Sequence, residues 1–218
     1  MMPGSVSRDQ NRHSVRREHS LRLAVACCAG SLAALAALIG MGSLNALDRS
    51  VHRRVARGRS ERLMRAARIA SWGGEPMSHL GAAALAAIAV GRRKGARRSL
   101  PLLAASVGAV ATHQGWKLIQ RRARPPEVWR QGKREPAFPS GHTTTATAVS
   151  TAVAYVILRE RMASPAVVLP VALSIPIFVG ASRVILGEHW ASDVIGGWVA
   201  GIGVGAASAA WYERRPRR

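Results

Sequence analysis

The sequence predicts an all-α fold, a bundle of six transmembrane helices. Three observations predict it. Six stretches contain no Asp, Glu, Lys or Arg, at 23–47, 77–90, 99–116, 143–158, 166–181 and 194–212. The chain is 48% hydrophobic, yet it carries 32 Lys and Arg against 11 Asp and Glu, for a net charge of +21. That charge is packed into the segments between the apolar stretches, as in a membrane protein with basic loops. A soluble protein this basic would point to nucleic acid, but the clustering argues against a nucleic-acid partner. At 218 residues the chain suffices for one sizeable domain.

The first stretch, 23–47, is long enough to cross about 30 Å of hydrocarbon as a helix. Arg16, Arg17 and Arg22 precede it, as basic residues precede a signal peptide, but an apolar signal core is only about 7–15 residues. A retained helix is therefore expected. Cys27 and Cys28 are adjacent within it. Neighbouring cysteines seldom bridge, and two thiols alone make no metal site. The five later stretches are shorter, and singly each could be a buried helix of a soluble protein. Alternation with arginine clusters makes spans the better reading. Gly197, Gly201 and Gly205 recur every four residues, so they share one helix face and permit close helix contact. Trp72, Trp116, Trp190 and Trp211 fall near stretch ends, where interfacial aromatics belong.

Between the first two spans, residues 49–71 place Val51, Val55, Leu63, Ala66, Ala67 and Ala70 at helical spacing among arginines. This pattern predicts an amphipathic helix on the bilayer surface. Residues 1–20 are polar and are expected to be disordered, 21–212 form the transmembrane domain, and 213–218 are a basic tail. Six spans put both termini on one side. Positive charge divides evenly between the two sides, so the raw count decides nothing. The 92–98 arginine cluster and the basic tail are the plain positive-inside signals. Both termini are therefore expected in the cytoplasm, with the protein multi-pass in the plasma or inner membrane. No oligomeric state can be read from the sequence.

Two loops then emerge together on the extracytoplasmic face, 117–142 and 182–193. Lys117, Arg124 and Arg183 are the cations there, and arginine forks and lysine charge suit phosphate oxygens. Any one of them alone would more often be a solvated loop charge. Pro139-Ser140-Gly141-His142 stands directly before the fourth apolar stretch. Proline and serine favour a helix start, glycine lets a ligand approach the backbone, and the first amides of a helix bind anions. An ordinary capped helix would need no histidine. His189 and Asp193 are four residues apart, so a helix would put them on one face. A carboxylate there holds one imidazole nitrogen and presents the other as nucleophile. The competing role for Asp193 is helix capping.

In order and spacing, Lys117-x6-Arg124-Pro125, Pro139-Ser140-Gly141-His142 and Ser182-Arg183-x5-His189-x3-Asp193 resemble the three signature motifs of the type 2 phosphatidic acid phosphatase (PAP2) superfamily. That superfamily includes membrane lipid phosphatases, soluble bacterial acid phosphatases and vanadium haloperoxidases. The motifs cover 117–193, and the pattern of spans extends the resemblance over most of the chain.

The resemblance implies an active site at the extracytoplasmic end of the helices. It implies that His189 attacks phosphorus to give a phosphohistidine, that Asp193 orients it, and that His142 protonates the leaving group. Lys117, Arg124, Arg183, the Ser140 hydroxyl and the Ser140 and Gly141 amides would bind the phosphoryl oxygens. Ser182 would touch phosphate or a neighbouring side chain, and Pro139 would shape the turn. No cofactor and no metal are implied, because cations take the place of one, and the sequence has no acidic cluster suited to Mg²⁺. The expected partner besides the bilayer is a lipid phosphate or diphosphate substrate.

A lipid phosphotransferase would use the same phosphohistidine. A lipid-phosphate binding or transport protein with a decayed site is the non-enzyme alternative, and loss of a motif residue would have favoured it. None is lost. A haloperoxidase fits poorly with six apolar stretches. Glu127, Trp129, Glu135 and Phe138 lie in the first loop and either shape headgroup choice or pack the loop. For His113 a structural polar contact is expected.

Overall fold

Eight α-helices form among the residues that the structure, a computed structural model, describes: 4–127, 132 and 134–214. They are α1 (Gly4–Gly40), α2 (Asn45–Arg57), α3 (Glu61–Ser71), α4 (Pro76–Lys94), α5 (Ala96–Gln120), α6 (Gly141–Arg159), α7 (Pro165–Ile185) and α8 (Ala191–Glu213), with a 3₁₀ turn at Trp72–Gly74 between α3 and α4. The all-α expectation holds.

Three helical segments are long and apolar enough to cross a membrane: Ser14–Gly40 within α1, then α7 and α8. Helices α4, α5 and α6 have 19, 25 and 19 residues, so they have the length but not the uniform apolarity. Each carries polar side chains into one shared cavity, His79 from α4, His113 and Lys117 from α5, and His142 and Thr145 from α6.

Three expectations near the N-terminus are corrected. Helix α1 begins at Gly4, so residues 4–20 are helical rather than disordered. Its end is tied down by Ser14, whose hydroxyl donates to Glu213 at the end of α8, and by Glu18, which pairs with Arg214. The first apolar stretch is also not one helix. It breaks after Gly40, where Gly42 adopts a left-handed φ of 74°, and resumes as α2. The amphipathic segment 49–71 is likewise two helices, broken at Gly58, with Ser60 capping α3 by accepting from the Leu63 amide. Helix α3 lies against α7, with Ala67 buried.

Helices α6 and α8 form the centre, with α1 against α8, α5 against both, and α7 against α6. The glycine stripe of α8 sets how close the two central helices come. Gly197, Gly201 and Gly205 face Thr143, Thr147 and Thr151, which also recur every four residues. A Cβ added at Gly197 would lie 2.8 Å from the Thr143 Cβ, and one at Gly205 would lie 2.5 Å from the Thr151 Cβ. In this contact Thr147 Oγ1 donates to the Thr143 carbonyl of its own helix at 2.6 Å, and Thr143 Oγ1 donates to Ser140 Oγ at 3.0 Å. Cys27 and Cys28 are free thiols on α1.

A side chain larger than hydrogen at position 201 must push α6 and α8 apart. Gly201→Leu should destabilise the protein by about 2 kcal/mol or more, read as a lower thermal midpoint in detergent. Gly81→Ala, where an added Cβ meets nothing within 4 Å, should be neutral or slightly stabilising.

Candidate active site

The C-terminal ends of α5 and α7 meet the N-terminal ends of α6 and α8 at one end of the bundle. Both described chain ends lie at the other, where Ser14 and Arg159 bond to Glu213. The four helix ends enclose a cavity of about 560 Å³ whose lining includes Lys117, Arg124, Gly141, His142, Arg183 and His189. Three segments far apart in sequence have thus delivered most of their expected residues to one space.

The cations converge through shared carboxylates. Arg124 Nε donates to the Glu135 carbonyl at 3.0 Å, and its Nη1 donates to the Glu188 carbonyl at 3.1 Å. Glu135 Oε2 lies 3.7 Å from Arg124 Nη2 and 3.9 Å from Lys117 Nζ. Glu188 Oε2 lies 3.3 Å from Arg124 Nη1 and 3.6 Å from Arg183 Nη2. Arg183 Nη1 also donates to Ser71 Oγ at the end of α3. Two carboxylates therefore bridge the three cations, and a bound phosphate would compete with them for the same donors. Glu135 thus belongs to the site, while Glu127 packs the loop by accepting from His52 at 2.9 Å. Phe138 is fully buried against Gly196 and the edge of Trp116. Trp129 lies outside the described residues.

His189 sits in the turn before α8, not on the helix, and is 2% exposed. The shared-face argument is thereby corrected, since the first turn of the helix brings Asp193 near instead. Asp193 Oδ2 lies 3.7 Å from His189 Nδ1, longer than a hydrogen bond, and accepts the Trp190 amide at 2.9 Å. Asp193 therefore caps α8 and faces His189 at once, so the two sequence readings of this residue do not exclude each other. Across the ring, His189 Nε2 is 3.5 Å from Arg124 Nη1, which puts it on the cation side. Burial pushes the His189 imidazole down to about 4, opposed by Asp193 and reinforced by Arg124 and Arg183.

His142 opens α6, and its Nε2 lies 3.1 Å from Glu75 Oε1, just before α4. His142 therefore has its own carboxylate, from 67 positions earlier. Motif spacing cannot reveal such a partner. Gly74, beside it, allows the closest approach: a Cβ there would lie 2.7 Å from the His142 Cβ.

Other expected residues stand behind the cavity wall. Ser140 is fully buried; its amide donates to the Asp193 carbonyl at 3.0 Å, and its hydroxyl accepts from Thr143 at 3.0 Å. The expectation that this amide binds phosphate is corrected, because it ties α6 to α8 instead. Ser182 is buried, and its Oγ donates to the Val179 carbonyl of its own helix at 2.6 Å. Pro139 is buried at the turn before α6.

His113 is not the structural contact expected of it. It lines the cavity with its ring against Gly141, and its Nδ1 is buried without a hydrogen bond. His79 does likewise from α4. Trp190 is half-buried and donates through Nε1 to the Ala123 carbonyl at 2.9 Å. Among the described residues, no group of three His, Cys, Asp or Glu is placed to hold a metal ion.

The fold and the site together define a helical-bundle protein with an imidazole-and-cation anion site at one end of its helices. The PAP2 superfamily model matches residues 98–217, more than half of the chain and all three motifs. This chain belongs to the PAP2 superfamily. The crystal structure of a transmembrane PAP2-type phosphatidylglycerolphosphate phosphatase from Bacillus subtilis is similar, with a TM-score of 0.76 at 22% identity. The match covers 92% of this chain and 98% of that one. No curated protein matches the sequence.

An imidazole held down by burial stays neutral, and so nucleophilic, above about pH 4, and loses that form as pH falls through about 4. With the ionisation of the substrate accounted for, the acid limb of kcat/KM should fall near pH 4. A limb near the usual imidazole value of 6.5 would show that His189 is not the buried base described above.

Proposed function

We propose that this chain is an integral-membrane phosphatase that hydrolyses a lipid phosphate or diphosphate through a phosphohistidine, without a metal. The observation that carries the reading is the cavity itself, which His189, His142 and three cations share. In the first step His189 Nε2 forms a bond to phosphorus while the bond from phosphorus to the leaving oxygen breaks. His142 gives that oxygen its proton. A water then attacks the phosphohistidine, His142 takes its proton, and inorganic phosphate leaves with His189 restored. Lys117, Arg124 and Arg183 hold the equatorial oxygens, where charge accumulates. Gly141 and the start of α6 supply backbone donors.

The membrane part of the reading is a six-span bundle of α1, α4, α5, α6, α7 and α8. Helix α7 supports it by exposing Val167, Leu173, Ile177 and Phe178 on its outer face, an apolar surface that water would penalise and lipid would not. Arg98 and Glu160 mark the end that holds the termini. With positive charge inside, that end is cytoplasmic and the cavity opens on the extracytoplasmic side.

A site at helix ends suits a substrate whose tail stays in the bilayer. Candidates are polyprenyl diphosphate, phosphatidic acid, phosphatidylglycerol phosphate and a polyprenyl-phosphoryl sugar phosphate. The Bacillus relative, by its description, puts phosphatidylglycerol phosphate first on the panel to assay.

Detergent-solubilised protein should release phosphate from at least one of these lipids in the presence of EDTA. His189→Ala should lower turnover at least about 10³-fold and abolish the acid-labile phosphoenzyme. His142→Ala should cost about 10²–10⁴-fold. Activity retained by the His189 variant would overturn the mechanism, and a folded wild type inert towards the whole panel would overturn the function.

A further inference from the structure

Arg122 lies in the spacer between Lys117 and Arg124 and is not part of the cavity lining. Its guanidinium instead joins two buried carboxylates. Nη1 donates to Asp193 Oδ1 at 2.7 Å, and Nη2 donates to Asp48 Oδ2 at 2.6 Å. Asp48, on the first turn of α2, is 2% exposed and lies outside the 98–217 stretch that matches the superfamily. Asp48 also accepts from the Ser192 amide at 3.0 Å and from the Ser192 hydroxyl at 2.6 Å. A side chain of α2 thus caps the first turn of α8, where an anion is favoured by the free amides.

A carboxylate group can turn about its Cβ–Cγ bond. Here both oxygens of Asp193 are pinned, Oδ1 by Arg122 and Oδ2 by the Trp190 amide. Oδ2 is the oxygen left facing His189 Nδ1. Asp48 shares the positive charge of Arg122, so the guanidinium orients Asp193 without fully cancelling its pull on the imidazole. With Asp48 removed, that pull would weaken, and with Arg122 removed, the carboxylate would keep only the Trp190 amide to hold it.

We propose that Arg122, set in place by Asp48, is a positioning residue that fixes the Asp193 carboxylate towards His189 for phosphoryl transfer. The role in transfer rests on the phosphatase reading above, whereas the clamp does not. The charged and titratable groups acting on His189 are Asp193, Arg124, Arg183 and, across the cavity, His113.

The test follows His189 in full-length, ¹⁵N-histidine-labelled protein in detergent, with its signals assigned through His189→Gln. In Arg122→Gln, His189 should take up its proton about one pH unit higher, because a nearby cation is gone. In the active enzyme kcat should fall at least about 10-fold with KM within about twofold, since Arg122 does not line the cavity. Arg122→Lys, which keeps the charge but not the fork, should recover part of kcat.

If Arg122→Gln leaves Asp48 as an unpaired buried charge and fails to fold, the double variant with Asp48→Asn removes both charges, and a smaller upward shift should remain, because Arg122 contacts Asp193 directly. An unshifted titration, or an unchanged kcat in an active enzyme, overturns the proposal. Failure of the wild type to release phosphate refutes the phosphatase reading instead and leaves the titration result standing.

Discussion

The close approach of α6 and α8 is the constraint on which the site depends. Glycines on α8 let the threonine face of α6 press against backbone, and this contact fixes the register of the two helices. In that register the Ser140 amide meets the Asp193 carbonyl at 3.0 Å. The bond locks the start of α6 to the start of α8. His142 follows Ser140 by two residues and His189 precedes Asp193 by four, so both imidazoles open onto one cavity. Packing of small residues deep in the bundle is therefore what sets the geometry at its end. The same holds for helix pairs in lipid generally, where close packing replaces the hydrophobic effect as the cohesive force.

Gathering cations in a partly buried place is costly unless each has a partner. This structure meets the cost with carboxylates drawn from several segments. Glu135 and Glu188 bridge Lys117, Arg124 and Arg183, and Asp48 and Asp193 divide Arg122 between them. The first set faces the cavity, where an arriving phosphate can take over its donors. The second lies behind His189, around the Asp193 carboxylate. One group of ion pairs is thus open to the cavity, while the other holds the Asp193 carboxylate in place.

Most of the helical fold was legible because apolar stretches bounded by arginine can hardly form anything else in lipid. Its breaks were not. Gly42 and Gly58 look like many helix-tolerated glycines, yet the chain turns at both. The length of α1 was hidden for a different reason: its N-terminal part is polar, and Ser14 within it bonds to Glu213, almost the whole chain away. Lys117, Arg124, His142, Arg183 and His189 were legible in the motifs, and the structure brings all five to one cavity because each stands at or just beyond a helix end. Glu75, Asp48, Arg122 and Ser71 were not, since a lone carboxylate, arginine or serine carries no spacing that names its partner. His113 was misread because an imidazole inside an apolar stretch gives no sign of which way its helix face turns.

By itself, then, the sequence determined the chemical inventory, the helical class and the superfamily, because residue type and local periodicity are properties of neighbours along the chain. Only the tertiary structure decided which groups are free to act. It committed the Ser140 amide to Asp193, turned the Ser182 hydroxyl back on its own helix, and gave His142 a carboxylate from before α4. Each of these is a hydrogen bond made or not made across a helix interface. Such a bond depends on distances of a few tenths of an ångström that close packing sets and local sequence does not encode.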